Sequence, residues 1–254
     1  MTTPEHGSWP EGPAAIPDLE NNRVHIWRIP LDVASETAAE CALWLSSDER
    51  QRADRYRFDR HRRRFVVCRA GQRIILSRYL GKEPAQLCFV YGERGKPSLA
   101  PQAGNRGLFF NVGNSSDLAL CAVTRDRELG VDIEYAREVR DLTGLVTRFF
   151  AESEIEYLER LAPDERLRAF FGIWTQKEAV LKAVGTGLAF PLDQVVVSTA
   201  SDQTCRVLQF GSNPNSANHW WLEALSPAPG YIGAIAAQSP QLASRCWNLD
   251  VRLH

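Results

Sequence analysis

The sequence predicts an α+β protein made of two similar halves, and three observations carry that prediction. Short strand-like runs bounded by Gly, Pro and Asp alternate with two long helical stretches. The order strand, helices, several strands then occurs twice, which reads as an internal duplication. The second pass begins near Thr124 to Gly130, close to the middle of the 254-residue chain. Such a length holds one large domain or two small ones, since domains commonly run about 100 to 150 residues. The sequence therefore divides into a tail at 1–22, an N-terminal half at 23–124 and a C-terminal half at 125–254.

Taken in order, Met1 to Asn22 is rich in Pro, Glu and Gly, has no hydrophobic signal core, and is expected to be a loose tail. Arg23 to Ile29 has the pattern of a first strand, ended by Pro30. Ser46-Ser47-Asp48-Glu49 has the spacing of a capping box and should start a helix. That helical pattern runs on, with a break near Asp59, through Phe65, Val66, Ala70 and Ile74 to Leu80, where Gly81 stops it. Leu87 to Tyr91, Leu108 to Val112 and Leu118 to Val123 are strand-like, and Gly92 to Gly107 is expected to be loop. After a turn at Arg125 to Glu128 come a strand at Val131 to Glu134, a helix near Ser153 to Leu161, a break at Pro163 and a long helix over Asp164 to Gly187. Gly185 to Gly187 suits a helix C-cap. Strands at Gln194 to Ser198, Arg206 to Phe210, Trp220 to Leu225 and Tyr231 to Ala236 complete the second half.

Composition excludes several functions. An apolar content of 44% with 24% charged residues is that of a soluble globular protein. A net charge of −1 does not mark a nucleic-acid binder, and no apolar run is long enough to span a membrane. Arginine is nevertheless concentrated: eleven lie between Arg50 and Arg78 against Asp54 and Asp59, which makes a solvated helix face or a seat for an anion. The six cysteines are widely spaced, with no CxxC and no nearby histidine pair, as in a reducing, cytoplasmic compartment without zinc.

The long second helix carries the chemistry. Leu167, Phe170, Phe171, Trp174 and Leu181 fall on one apolar stripe, and Glu178 sits inside it, four residues after Trp174. A carboxylate placed there needs a cation or hydrogen bonds, because its bare desolvation costs several kcal/mol. Lys182 at i+4 and the adjacent Lys177 offer two ammonium groups. Gly130-Val131-Asp132-Ile133-Glu134 alternates with period two, so Asp132 and Glu134 share one face of a strand. Alone, that face would suit water, and Glu178 with Lys182 would suit an ordinary surface salt bridge. Together the three carboxylates make an oxygen-rich site suited to Mg²⁺, and the lysines point to a phosphate-bearing substrate.

These residues, with Arg148-Phe149-Phe150 leading to Glu154 and with Trp174-Thr175-Gln176-Lys177-Glu178-Ala179 and Lys182, resemble the signature of 4′-phosphopantetheinyl transferases of the Sfp type. Gly95-Lys96-Pro97 and Phe110-Asn111-Val112 resemble two further motifs of that family, and the likeness runs in order from about Ser46 to about Phe190. The resemblance implies a monomer whose two α/β subdomains form a pseudo-dimer within one chain, with coenzyme A between them. It implies Mg²⁺ held by Asp132, Glu134 and Glu178, with Glu178, Asp132 and Lys182 in catalysis. Coenzyme contacts would fall to Arg64, Arg52, Lys96, Pro97, Gly113, Asn114, Lys177 and Lys182. The partner would be an apo acyl, peptidyl or aryl carrier protein, and neither nucleic acid nor membrane. One departure stands out. Family members usually have Ser-His where this chain has Gly113-Asn114, so the imidazolium charge is gone and coenzyme A binding should be weaker or altered. Two other readings keep the same residues: a Mg²⁺-dependent nuclease that tracks a backbone along the arginine stripe, and a catalytically impaired module that only binds carrier protein.

Overall fold

The computed structural model describes residues 9–13, 19–101, 107–186, 189–199, 205–212, 216–239 and 241–252. The chain separates into two compact units, one of Trp9–Asp126 with Ser244–His254, the other built on Arg127–Ala243.

The first unit follows its apolar pattern. Strand β1 (Arg23–Pro30) alternates little and is buried on both faces, as a central strand is. Three helices follow: α1 (Ser35–Leu43), α2 (Ser47–Ala53) and α3 (Asp59–Leu80). Gly81, at φ +61°, ends α3 in the left-handed conformation that a side chain would resist. A small ribbon of β2 (Phe89–Tyr91) and β3 (Pro97–Leu99) leads to a hairpin of β4 (Leu108–Ser115) and β5 (Leu118–Arg125). Strand β5 lies between β4 and β1, antiparallel to both, with Trp27 opposite Cys121. Trp27, Ile29, Val67, Ile74, Ile75 and Cys121 fill the core between this sheet and the helices.

The second unit repeats that order. Strand β6 (Leu129–Tyr135) is followed by α4 (Leu142–Phe149), α5 (Glu152–Glu159) and α6 (Pro163–Val184), where Pro163 occupies the first turn. A ribbon of β7 (Val195–Val197) and β8 (Val207–Phe210) precedes a hairpin of β9 (Trp220–Leu225) and β10 (Tyr231–Gln238). Strand β10 lies between β6 and β9, as β5 lies between β1 and β4. A last strand, β11 (Ala243–Asn248), returns to the first unit and joins its sheet beside β1.

A buried ion pair is also repeated. At the start of α2, Glu49 accepts a hydrogen bond from the Ser46 backbone N–H (3.1 Å) and meets Arg73 Nε at 2.7 Å. This is the capping box expected from the sequence, and the Ser46 hydroxyl also donates to Asp48 Oδ1 at 2.7 Å. Arg73 then donates to the carbonyls of Pro84 and Leu87, both at 2.9 Å. At the start of α5, Glu154 accepts from the Ala151 N–H (2.9 Å) and meets Lys177 Nζ at 2.6 Å. Lys177 donates in turn to the Leu192 carbonyl at 2.9 Å. Arg73 and Lys177 hold equivalent places, each fourteen residues after the first of its helix (Asp59 to Arg73, Pro163 to Lys177).

Several expectations need correction. Residues 1–22 are not simply a tail: Trp9 and Leu19 are buried, and Gly12 N–H donates to the Asn248 carbonyl at 2.9 Å. Residues 1–8 and 14–18 of the expected tail lie outside the described ones. The C-terminal half does not extend to 254, because Ser244–His254 belongs to the first unit. The loop expected at Gly92 to Gly107 contains β3, which pairs Pro97 with Tyr91 at the ribbon's end; its residues 102–106 fall outside the described set. Helices α1 and α4 were not anticipated. Gly185, at φ +80°, caps α6 as expected, whereas Gly187 lies outside the described residues.

Candidate active site

Strand β6 and helix α6 make the site by close approach. A Cβ on Gly130 would overlap the Ala179 carbonyl oxygen and the Ala183 nitrogen and would stand 2.7 Å from Lys182 Cβ, so this position admits only hydrogen. With Gly130 against α6, period two turns Asp132 and Glu134 to the same side, and Val131 and Ile133, both buried, to the other. Asp132 is therefore not on a wet face; it is 6% exposed. Gly130→Ala is expected to cost about 1–3 kcal/mol by overpacking, measured by urea unfolding; an unchanged midpoint would show that α6 can retreat freely.

Lys182 ties the two elements together. Its Nζ donates to the Val131 carbonyl (3.2 Å) and to Asp132 Oδ1 (2.6 Å). The Lys182 side chain is 28% exposed, so it is held in place yet partly open to solvent. Asp132 Oδ2 and Glu178 Oε1 are both buried and meet no hydrogen-bond donor among the described residues. Burial pushes Asp132 above the usual carboxylate range, opposed by the charge and hydrogen bond of Lys182. Glu178 is raised first by burial, then by the Asp132 charge, with Lys182 opposing and Glu134 adding. Asp132, Glu134, Glu178 and Lys182 thus share one electrostatic neighbourhood. Three carboxylates against one ammonium leave two formal negative charges there.

Among the described residues, no three His, Cys, Asp or Glu side chains already stand as a metal cage. The donors form a neighbourhood in which Lys182 occupies one oxygen of Asp132. The two orphaned, buried acceptors are what a cation would satisfy, and hard carboxylate oxygens suit Mg²⁺.

Lys177 does not join this group. Adjacent to Glu178 in sequence, it points about 100° away around the helix, and the structure buries it completely against Glu154. Its ammonium also lies 5.1 Å from the centre of the Phe150 ring. Burial lowers its pKa and Glu154 opposes that. The expected coenzyme contact is replaced by a structural ion pair. Sequence reasoning missed this use of Glu154, although Glu three residues after Ala151 at a helix start was the available signal.

The coenzyme residues expected in the N-terminal half lie in the first unit. Arg64, on α3, is half-buried, and its Nε and one Nη are buried with no hydrogen-bond partner among the described residues. Arg52 is exposed, its guanidinium 5.5 Å over the Phe65 ring. Lys96 is half-buried before Pro97, at a turn where Gly95 has φ +77° and Gly92 N–H donates to the Lys96 carbonyl. On β4, Gly113 is buried and Asn114 is exposed.

Known proteins share this arrangement of sequence. The 4′-phosphopantetheinyl transferase superfamily matches residues 128–236, and the family's N-terminal region, 4′-phosphopantetheinyl transferase, N-terminal, matches residues 30–126. The 4′-phosphopantetheinyl transferase HetI of Nostoc sp. is 39% identical over 230 residues, 91% of this chain and 94% of its own. Sfp of Bacillus subtilis is 26% identical over 199 residues, 78% of this chain and 84% of its own. AcpT of Salmonella typhimurium is 34% identical over 138 residues, covering 53% and 68%. The chain belongs to the 4′-phosphopantetheinyl transferase family, and it is a transferase. Among the described residues, no helix is long and apolar enough to cross a membrane.

Proposed function

We propose that this chain moves the 4′-phosphopantetheine group of coenzyme A onto a serine of an apo acyl, peptidyl or aryl carrier protein, with Mg²⁺, and releases 3′,5′-ADP. The observation that carries this reading is the pair of buried acceptors without donors, Asp132 Oδ2 and Glu178 Oε1, beside a fixed ammonium. Asp132, Glu134 and Glu178 would hold the metal, which would supply charge neutralisation on the pyrophosphate. Lys182, anchored by Val131 and Asp132, presents its remaining donor capacity to a phosphoryl oxygen. Glu178, raised by burial and like charge, is a stronger proton acceptor than an ordinary glutamate and is suited to take the serine proton. Arg64, with two buried N–H groups seeking an acceptor, suits a phosphate, and Arg52, Lys96 and Pro97 add to that reading. Phosphoryl transfer asks chiefly for such positioning and charge. Gly113 and Asn114 would contact the adenosine phosphate weakly, Gly113 through backbone and Asn114 through its amide. The repeated element order supports a duplicated pair of α/β halves, and we place the enzyme in the cytoplasm as a monomer.

The test is direct. The purified chain, incubated with coenzyme A, Mg²⁺ and an apo carrier protein, should add one phosphopantetheinyl mass to the carrier. Binding of carrier without that gain would point to an inactive carrier-binding module, and cleavage of a nucleic-acid pool to a nuclease.

The acid limb of the rate profile tests the electrostatics. A metal ligand must be deprotonated, and Glu178 holds its proton to higher pH than an exposed glutamate. Transfer should therefore begin to fall at a higher pH than an ordinary glutamate would impose, and excess Mg²⁺ should shift the fall to lower pH. An acid limb that ignores Mg²⁺ concentration would contradict the assignment.

A further inference from the structure

A second cavity lies along α6 on its other flank. Gln176 is two residues before Glu178, which turns it to the opposite side of the helix. On that flank Ala169 and Gly172 are small, and a Cβ on Gly172 would meet nothing within 4 Å. The space continues to Cys205 at the start of the β8 segment and encloses about 410 Å³, within the range of small-molecule sites. Its wall is mixed, with more apolar than polar surface: buried Ile173 lies beside Gln176, and Ser198 and Thr199 also line it.

Gln176 gives the cavity a chemical preference. It is 8% exposed, lines the cavity, and its Oε1 is buried and meets no hydrogen-bond donor among the described residues. Buried amide oxygens are almost always satisfied, so this one marks a place for an N–H or O–H. The charges that border the cavity, Glu165 and Arg168, are exposed and of opposite sign, and among the described residues the only other ionisable groups in the lining are the Cys205 thiol and the Tyr157 phenol. Burial raises the Cys205 thiol, which keeps it neutral. The interior therefore favours an uncharged guest.

We propose that this cavity binds a small neutral molecule with an apolar body and one N–H or O–H group, which donates to Gln176 Oε1. The site is separate from the carboxylates of β6 and α6, and it stands whether or not the transfer reaction does.

Indole and indene separate the donor from the apolar body, since they share a shape and differ in the N–H. Full-length protein titrated with indole should show saturable amide shifts confined to residues around 169–176 and 205, and indole should slow maleimide alkylation of Cys205, read by peptide mass. Indene should bind about five- to tenfold more weakly, the size of one hydrogen bond. Gly172→Leu, which fills the space, should abolish both effects. If that variant does not fold, Gln176→Leu should bring the two affinities together. Equal binding of indole and indene to the wild type, shifts that never saturate, or Cys205 alkylation unchanged by indole would each overturn the proposal and leave a water-filled crevice.

Discussion

Glu178→Gln should lower the rate of carrier modification by about 10²- to 10³-fold, the usual cost of removing one preorganised charged group from a transfer site. The same substitution should leave the melting temperature unchanged or raise it. Glu178 is raised by burial and by Asp132 and Glu134, so in the folded protein its ionised form is disfavoured. An acid with a raised folded value contributes stability that is fully present below the unfolded value and lost as pH rises through the folded one. Glutamine keeps the shape and removes that loss. The variant should therefore hold its melting temperature where the parent's falls with rising pH. Mg²⁺ should raise the parent's melting temperature and leave the variant's nearly unmoved. A variant that loses stability and activity together would mean that Glu178 is structural.

Lys177→Met should destabilise the second unit by about 3–5 kcal/mol, because it strands the buried Glu154 carboxylate. Glu154 already accepts from Ala151 N–H, Val197 N–H and Lys177, so none of these can be replaced by water in place. Glu154→Gln with Lys177→Met should cost less than the sum of the single changes, since no charge is left alone. Urea unfolding reads both effects. If Lys177→Met were instead stable and defective only in coenzyme A affinity, Lys177 would be the phosphate ligand that the sequence motif suggests.

The difference between Glu178 and Lys177 shows what a sequence reveals. Period two on β6 and the apolar stripe of α6 made Asp132, Glu134, Glu178 and Lys182 legible, because helical and strand spacing alone decide which side each takes. Lys177 was misjudged because its partner lies 23 residues away, on α5, and because a fully buried lysine is rare. Arg73 was likewise lost among its neighbours in the arginine stripe, although it is buried with Glu49. Helix α1 has Ala34 at its N-cap with no side-chain cap, so it does not announce its start, whereas the signal for α4 was Asp141, whose carboxylate accepts from the Gly144 N–H at 2.9 Å. Strand β3 begins with Pro97, which reads as loop. Strand β11 depends on β1, more than 200 residues earlier: Arg28 Nε donates to Asn248 Oδ1 at 2.7 Å, a pairing no local pattern announces.

The acidic site can be tested without following the reaction. Electron paramagnetic resonance of Mn²⁺, titrated into the protein with coenzyme A present, counts bound metal and reports its ligands. One Mn²⁺ per chain is expected, displaced by Mg²⁺, with affinity falling at least tenfold in Asp132→Asn and in Glu178→Gln. Tight Mn²⁺ binding that survives both substitutions would place the metal elsewhere and contradict the assignment of these carboxylates.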